Sequence, residues 1–99
     1  MPCYVKTYRT EGELMVAACD RKLCGRTFTE GRLSIEVKEE FYKGEPCGEE
    51  ELGELLKEAT ISNLVGEVAV SCGIKAGVID ADSVIKIQGI PHAQMVIML

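Results

Sequence analysis

Leu14-Met15-Val16-Ala17-Ala18-Cys19 is an unbroken apolar run of six residues that ends abruptly at Asp20. As a helix it would complete fewer than two turns, about 9 Å, whereas as a strand it reaches about 20 Å and can cross a small domain. The run therefore predicts a central strand buried on both faces. It sits in a chain of 99 residues, enough for one domain over 1–99 and for no second core. Surface scaling lets a chain of this size bury roughly 65% of its unfolded surface, so no disulfide or metal is needed to hold the core.

The flanking segments take their form from this strand. Cys3 to Tyr8 has strand composition and is followed by turn-forming Thr10-Glu11-Gly12-Glu13, so it reads as the first arm of a hairpin. Between Asp20 and Gly31 the pattern loosens into a loop with one short helical turn capped by Asp20 and broken by Gly25 and Gly31. Arg32 to Lys38 alternates, with Leu33, Ile35 and Val37 facing one way, and predicts a half-buried strand. Phe41-Tyr42-Lys43-Gly44-Glu45-Pro46 reads as a loop whose aromatics cover one edge of the core. Leu52, Leu55, Leu56 and Ala59 share a helical face behind a first turn of Glu49, Glu50 and Glu51.

A second helix, N-capped by Ser62 or Asn63, is predicted to bury Leu64, Val65, Val68, Ala69 and Cys72. Gly66 and Gly73 within it imply close backbone packing, and Gly77 supplies the C-cap. After a turn at Asp80-Ala81-Asp82-Ser83, Val84 to Gln88 reads as a strand and Gly89-Ile90-Pro91-His92 as a reversal. Ala93 to Leu99 then reads as an inner strand, or as an edge covered by another subunit. The predicted order is β-β-β-α-α-β-β. The fold class is α+β, a two-layer sandwich with the helix pair packed on one face of a mostly antiparallel sheet.

Sixteen acids against eleven bases leave a net charge of -5, which argues against general nucleic-acid binding. The charge is polarised, however. Residues 1–35 carry six bases and four acids, while residues 36–58 carry nine acids and three bases. Arg21, Lys22, Arg26 and Arg32 thus form a candidate basic patch suited to a phosphate or an RNA backbone. The alternative is a solvated loop balanced by Glu11, Asp20 and Glu30. No exposed aromatic series accompanies the patch, which weighs against base stacking.

No apolar stretch reaches membrane-spanning length, and Tyr4, Lys6 and Arg9 interrupt any N-terminal signal-like run, so a cytoplasmic protein with no membrane partner is expected. Cys3, Cys19, Cys24, Cys47 and Cys72 are odd in number and mostly in apolar contexts, which predicts buried reduced thiols. Cys19 and Cys24 are spaced like two zinc ligands but lack a second pair, so neither a metal nor a cofactor is expected.

The single histidine, His92, stands in Gly89-Ile90-Pro91-His92-Ala93-Gln94, where His92 and Gln94 form a candidate binding site on a held loop. The alternative is a turn histidine bonded to nearby backbone. Cys19 as nucleophile, His92 as base and Asn63 as orienting group would make a Cys-His site, although nothing places Cys19 at a helix N-terminus. GxxxxGK, GxGxxG, HExxH and GxSxG are all absent.

Val16-Ala17-Ala18-Cys19-Asp20, with Leu23, Gly25 and Phe28, Phe41-Tyr42-Lys43-Gly44, Ile61-Ser62-Asn63-Leu64-Val65-Gly66 and Gly89-Ile90-Pro91-His92-Ala93-Gln94, resembles a small archaeal family of uncharacterised proteins, domain of unknown function number 424. The resemblance spans nearly the whole chain and implies one compact cytoplasmic domain, with no activity attached. It marks Cys19, Asp20, Asn63, Gly66, His92 and Gln94 as matching positions that are not plainly core. The leading expectation is a non-enzymatic binding protein, an RNA- or ribonucleoprotein-associated adaptor using the basic loop and the Pro91-His92 turn. The alternatives are a small enzyme with Cys19, Asp20, Asn63 and His92 around one pocket, and a structural homodimer joined through the C-terminal strand.

Overall fold

The apolar run at Leu14–Cys19 forms the body of β2 (Glu13–Asp20), which lies third in a six-stranded sheet and is buried over most of its length. The computed structural model describes residues 1–97. β1 (Cys3–Thr10) pairs antiparallel with β2 across a tight turn, from Cys3 opposite Asp20 to Thr10 opposite Glu13. The chain then leaves the sheet through a 3-10 turn at Arg21–Leu23 and makes a separate hairpin, β3 (Thr27–Glu30) and β4 (Leu33–Glu36). A single helical turn, α1 (Glu39–Tyr42), leads to the short edge strand β5 (Glu45–Cys47) and then to α2 (Glu49–Glu58). β6 (Ile61–Val65), α3 (Glu67–Lys75), β7 (Ile85–Ile87) and β8 (Ile90–Val96) complete the order β5-β1-β2-β6-β8-β7. β2 and β6 run parallel, and the other pairings in the sheet are antiparallel.

Alternation along each strand divides the core in two. Cys3, Val5, Leu14, Val16, Ala18, Leu64 and Ala93 face Leu52 and Leu56 of α2 and Ala69, Val70 and Cys72 of α3. Ala17, Cys19, Val65 and Ile87 face the other way, where Phe28 of the hairpin, Val37 and Tyr42 cover them. The fold is thus α+β, with the helix pair on one face of a mostly antiparallel sheet, and the hairpin and α1 cover part of the other face. Among the described residues no helix is long and apolar enough to cross a membrane.

Four local expectations change. Ile61–Val65 is a strand rather than the start of a helix, and α3 begins only at Glu67. The stripe Leu64, Val68 and Cys72, spaced by four, joins the end of a strand buried on both faces to a helix that starts just beyond it, so the spacing mimics one continuous helix. Thr27–Glu30 and Glu45–Cys47, read as loop, are short strands, and Leu33 is exposed because it stands at the hairpin tip.

The fourth change is the reversal near His92. Gln88 and Gly89 make that turn, with φ of 54° and 76°. Positive φ at both central residues suits a two-residue hairpin between twisted strands. Gln88 is held there by its N–H donating to Glu30 Oε1 at 2.6 Å and its Nε2 donating to Thr29 O at 2.6 Å. Pro91 and His92 consequently lie inside β8. Of the expected strand Ala93 to Leu99, Met98 and Leu99 lie outside the described residues.

Candidate functional site

Successive side chains of a strand point to opposite faces, so register decides which candidate residues meet. Asn63 lies opposite Gln94, with Ala17 on its other side, while Val65 stands between Cys19 and His92. Cys19, Asn63, His92 and Gln94 therefore share the sheet face that carries the hairpin. Asn63, His92 and Gln94 are neighbours on β6 and β8, whereas a whole strand separates Cys19 from His92, roughly 10 Å between backbones. Asp20 points to the opposite face.

Tyr42 joins the polar group, its hydroxyl donating to Asn63 Oδ1 at 2.7 Å. Sequence reasoning placed this ring over the core but missed the hydroxyl's partner, since nothing in residues 41–46 signals contact with a strand some twenty residues on. Burial holds the Tyr42 hydroxyl well above its usual range. His92 Nδ1 lies 3.0 Å from Leu64 O. Because a carbonyl only accepts, Nδ1 carries the proton in this contact. Burial lowers the pKa of the imidazole from its ordinary 6.5, with the bond to Leu64 acting in the opposite sense, which leaves a neutral ring as the favoured form.

Cys19 is fully buried, and burial, followed by the neighbouring Cys24, raises its thiol far above the ordinary range. It is therefore held as a thiol, whereas nucleophilic chemistry needs the thiolate. Among the described residues no three His, Cys, Asp or Glu side chains gather as a metal-holding group.

Asp20 does not cap the short turn that follows it, which has no side-chain cap. Its carboxylate instead accepts from Val68 N–H at 3.2 Å and Ala69 N–H at 2.9 Å, in the first turn of α3. Gly66 stands beside it with φ of +110°, and a Cβ there would overlap the Asp20 carboxyl group. The close packing expected at Gly66 is thus real, but it belongs to the strand-to-helix turn. Two of the marked positions, Asp20 and Gly66, serve the architecture directly.

The basic residues gather where β1 begins and β2 ends. Arg21 donates its backbone N–H to Pro2 O at 2.9 Å, and its guanidinium lies 5.2 Å from the Tyr4 ring centre. Lys43 approaches the same ring at 5.5 Å, and Arg26 lies 5.0 Å from the centre of Phe28. Lys6 donates to Glu40 O at 2.6 Å and lies 5.6 Å from the Tyr8 ring. Tyr4, Lys6 and Lys43 were not among the expected patch residues, although alternation in β1 places Tyr4, Lys6 and Tyr8 on one face. Arg32 does not join this group. It stands at the hairpin tip, about 15 Å along the strand from Arg26.

The ion pairs among the described residues use Lys38, Lys43, Lys57 and Lys75, with Glu36, Glu39, Glu54 and Glu49. Arg21, Lys22, Arg26 and Arg32 are exposed and have no carboxylate within 4.0 Å among the described residues. Glu39, which lies beside Gly25, is paired with Lys43 at 3.7 Å.

Comparison with known proteins gives two matches. A family model described as "Protein of unknown function (DUF424)" matches residues 8–98. The crystal structure of an uncharacterized conserved protein from Methanopyrus kandleri is similar with a TM-score of 0.80 and 24% identity, covering 94% of this chain and 89% of that one. That likeness concerns the fold. No curated protein matches.

Proposed function

The chain belongs to the DUF424 family, and we propose that it is a non-enzymatic binding protein whose ligand is the phosphate backbone of RNA, held at the end of β2 by Arg21, Lys22 and Arg26. The observation that carries this reading is the uncompensated charge of these three side chains in a molecule of net charge -5. These unpaired cations give a polyanion a local point of attraction on a molecule whose net charge is negative. Guanidinium groups offer planar paired donors that match phosphate oxygens. The Tyr4 and Phe28 rings beneath Arg21 and Arg26 hold the cations in place. With cations over them, the rings offer no free platform for bases, which favours backbone contact over stacking.

The test is fluorescence anisotropy of a labelled unstructured RNA at low ionic strength. The variant Arg21→Ala/Lys22→Ala/Arg26→Ala is expected to bind at least about tenfold more weakly than the unaltered protein, and Arg32→Ala to bind nearly normally. Equal binding by the triple variant, or no binding by the unaltered protein, overturns the proposal.

A further inference from the structure

We propose that the open half of β8 is a self-pairing edge through which two copies of this chain join their sheets. The β6–β8 ladder fixes the direction of each backbone group. Gly66 N–H donates to Pro91 O at 2.9 Å at one end, and Ile97 N–H donates to Thr60 O at 2.8 Å at the other. Residues 91, 93, 95 and 97 therefore turn their backbone groups toward β6, and Ile90, His92, Gln94 and Val96 turn theirs away. β7 takes up only the first part of that outer side, from Ile87 opposite Ile90 to Ile85 opposite His92. Gln94 and Val96 remain, and among the described residues neither has a backbone partner on its outer side. Both are exposed, Val96 by 59%.

Two outward residues separated by one inward residue are self-complementary in an antiparallel pair. With Met95 on the two-fold axis, Gln94 of one copy faces Val96 of the other, and each such pair exchanges both N–H···O=C bonds. The side chains favour the same occupant. Val96, Ile97 and Ile85 are large apolar groups left exposed, and residues 90–99 hold no Asp, Glu, Lys or Arg. In an acidic chain, this uncharged stretch lets a copy approach its twin without meeting like charge, whereas edges that stay single are commonly guarded by Lys or another inward charge. The edge lies on β8, three strands from β1, so pairing leaves the basic end free and does not depend on RNA binding.

Sedimentation velocity over a concentration series tests this, together with amide exchange. The unaltered protein is expected to move from 10.8 kDa toward twice that mass, with protection at the Gln94 and Val96 amides rising in step. Gln94→Pro removes an outward donor without touching the β6 ladder, and Val96→Lys places a charge on the seam. Each is expected to raise the dimer dissociation constant about tenfold or more, since a lost bond in the one and an added charge in the other each act twice by symmetry, while circular dichroism stays unchanged. A protein that remains at 10.8 kDa, or a dimer that a folded Val96→Lys variant leaves intact, overturns the proposal.

Discussion

The Asp20 carboxylate accepts from the backbone N–H of Ala69 at 2.9 Å, tying the last residue of a central strand to the first turn of a helix some fifty positions further on. Helix N-terminal N–H groups lack partners within the helix, and the positive end of the helix dipole favours a carboxylate. Asp20 supplies both needs from outside α3. Gly66 makes room for it, since any side chain there would enter the space of the carboxyl group.

Asp20→Ala is expected to cost about 1–3 kcal/mol in urea unfolding, the loss of a cap together with one buried and one part-buried donor left unpaired. Asp20→Asn keeps one acceptor and loses less. Gly66→Ala is expected to cost about 1–3 kcal/mol through its positive φ and the contact with Asp20. Because the two residues meet, Gly66→Ala is expected to cost less in the Asp20→Ala background. Strict additivity would contradict this coupling.

Tyr42→Phe removes the donor to Asn63 and is expected to lower stability by about 1 kcal/mol. Subtracting the alkaline absorbance titration of Tyr42→Phe from that of the unaltered protein isolates Tyr42. Its ionisation is expected well above the ordinary 10.0, because burial disfavours the phenolate. Ionisation at the ordinary value would mean that the ring is solvated.

His92 gives stability an acid-side dependence. Its folded pKa is lowered from 6.5, so on acidification the unfolded chain takes up a proton first. The stabilising contribution is full above about pH 6.5 and is lost as pH falls through the lower folded value. Between about pH 7.5 and about pH 5, the unaltered protein should therefore lose more stability than His92→Gln. Identical losses would show that the imidazole is not desolvated.

The cysteines act at the other end of the scale. Burial pushes Cys3 up to about 12 and Cys47 to about 11, from 9.0. A raised folded value means stability that is full below about pH 9 and lost as pH rises through the folded values. Under native conditions iodoacetamide is expected to modify Cys24, the half-buried thiol, and to reach Cys3, Cys19, Cys47 and Cys72 only after unfolding. Peptide mass spectrometry reads this directly, and early labelling of Cys19 would contradict the burial of that thiol.

Much of the sheet was legible because local pattern and burial agree there. The Leu14–Cys19 run, the turn after Thr10 and the Glu-rich first turn of α2 each carry enough signal to place themselves. Ile61–Val65 was hidden because a strand covered on both faces loses its alternation, and Val68 and Cys72 continue its apolar spacing into α3. The candidate site was legible in its members more than in their meeting. Asn63, His92 and Gln94 come together through the register of β6 with β8, and Asp20 reaches Ala69 through the parallel pairing of β2 with β6. Neither register is encoded near the residues concerned. Arg21, Lys22 and Arg26 were visible as charge, but Lys6 and Lys43 join their surroundings only because β1 and α1 fold beside them.

The salt dependence of RNA binding reports whether Arg21, Lys22 and Arg26 hold phosphates. If Arg21, Lys22 and Arg26 neutralise phosphates, a plot of log Kd against log salt concentration should be steep for the unaltered protein. It should be shallower by about 2 for Arg21→Ala/Lys22→Ala/Arg26→Ala, near 0.7 for each phosphate of a single strand that is no longer neutralised. Parallel plots for the two proteins, or binding that salt does not weaken, would contradict it.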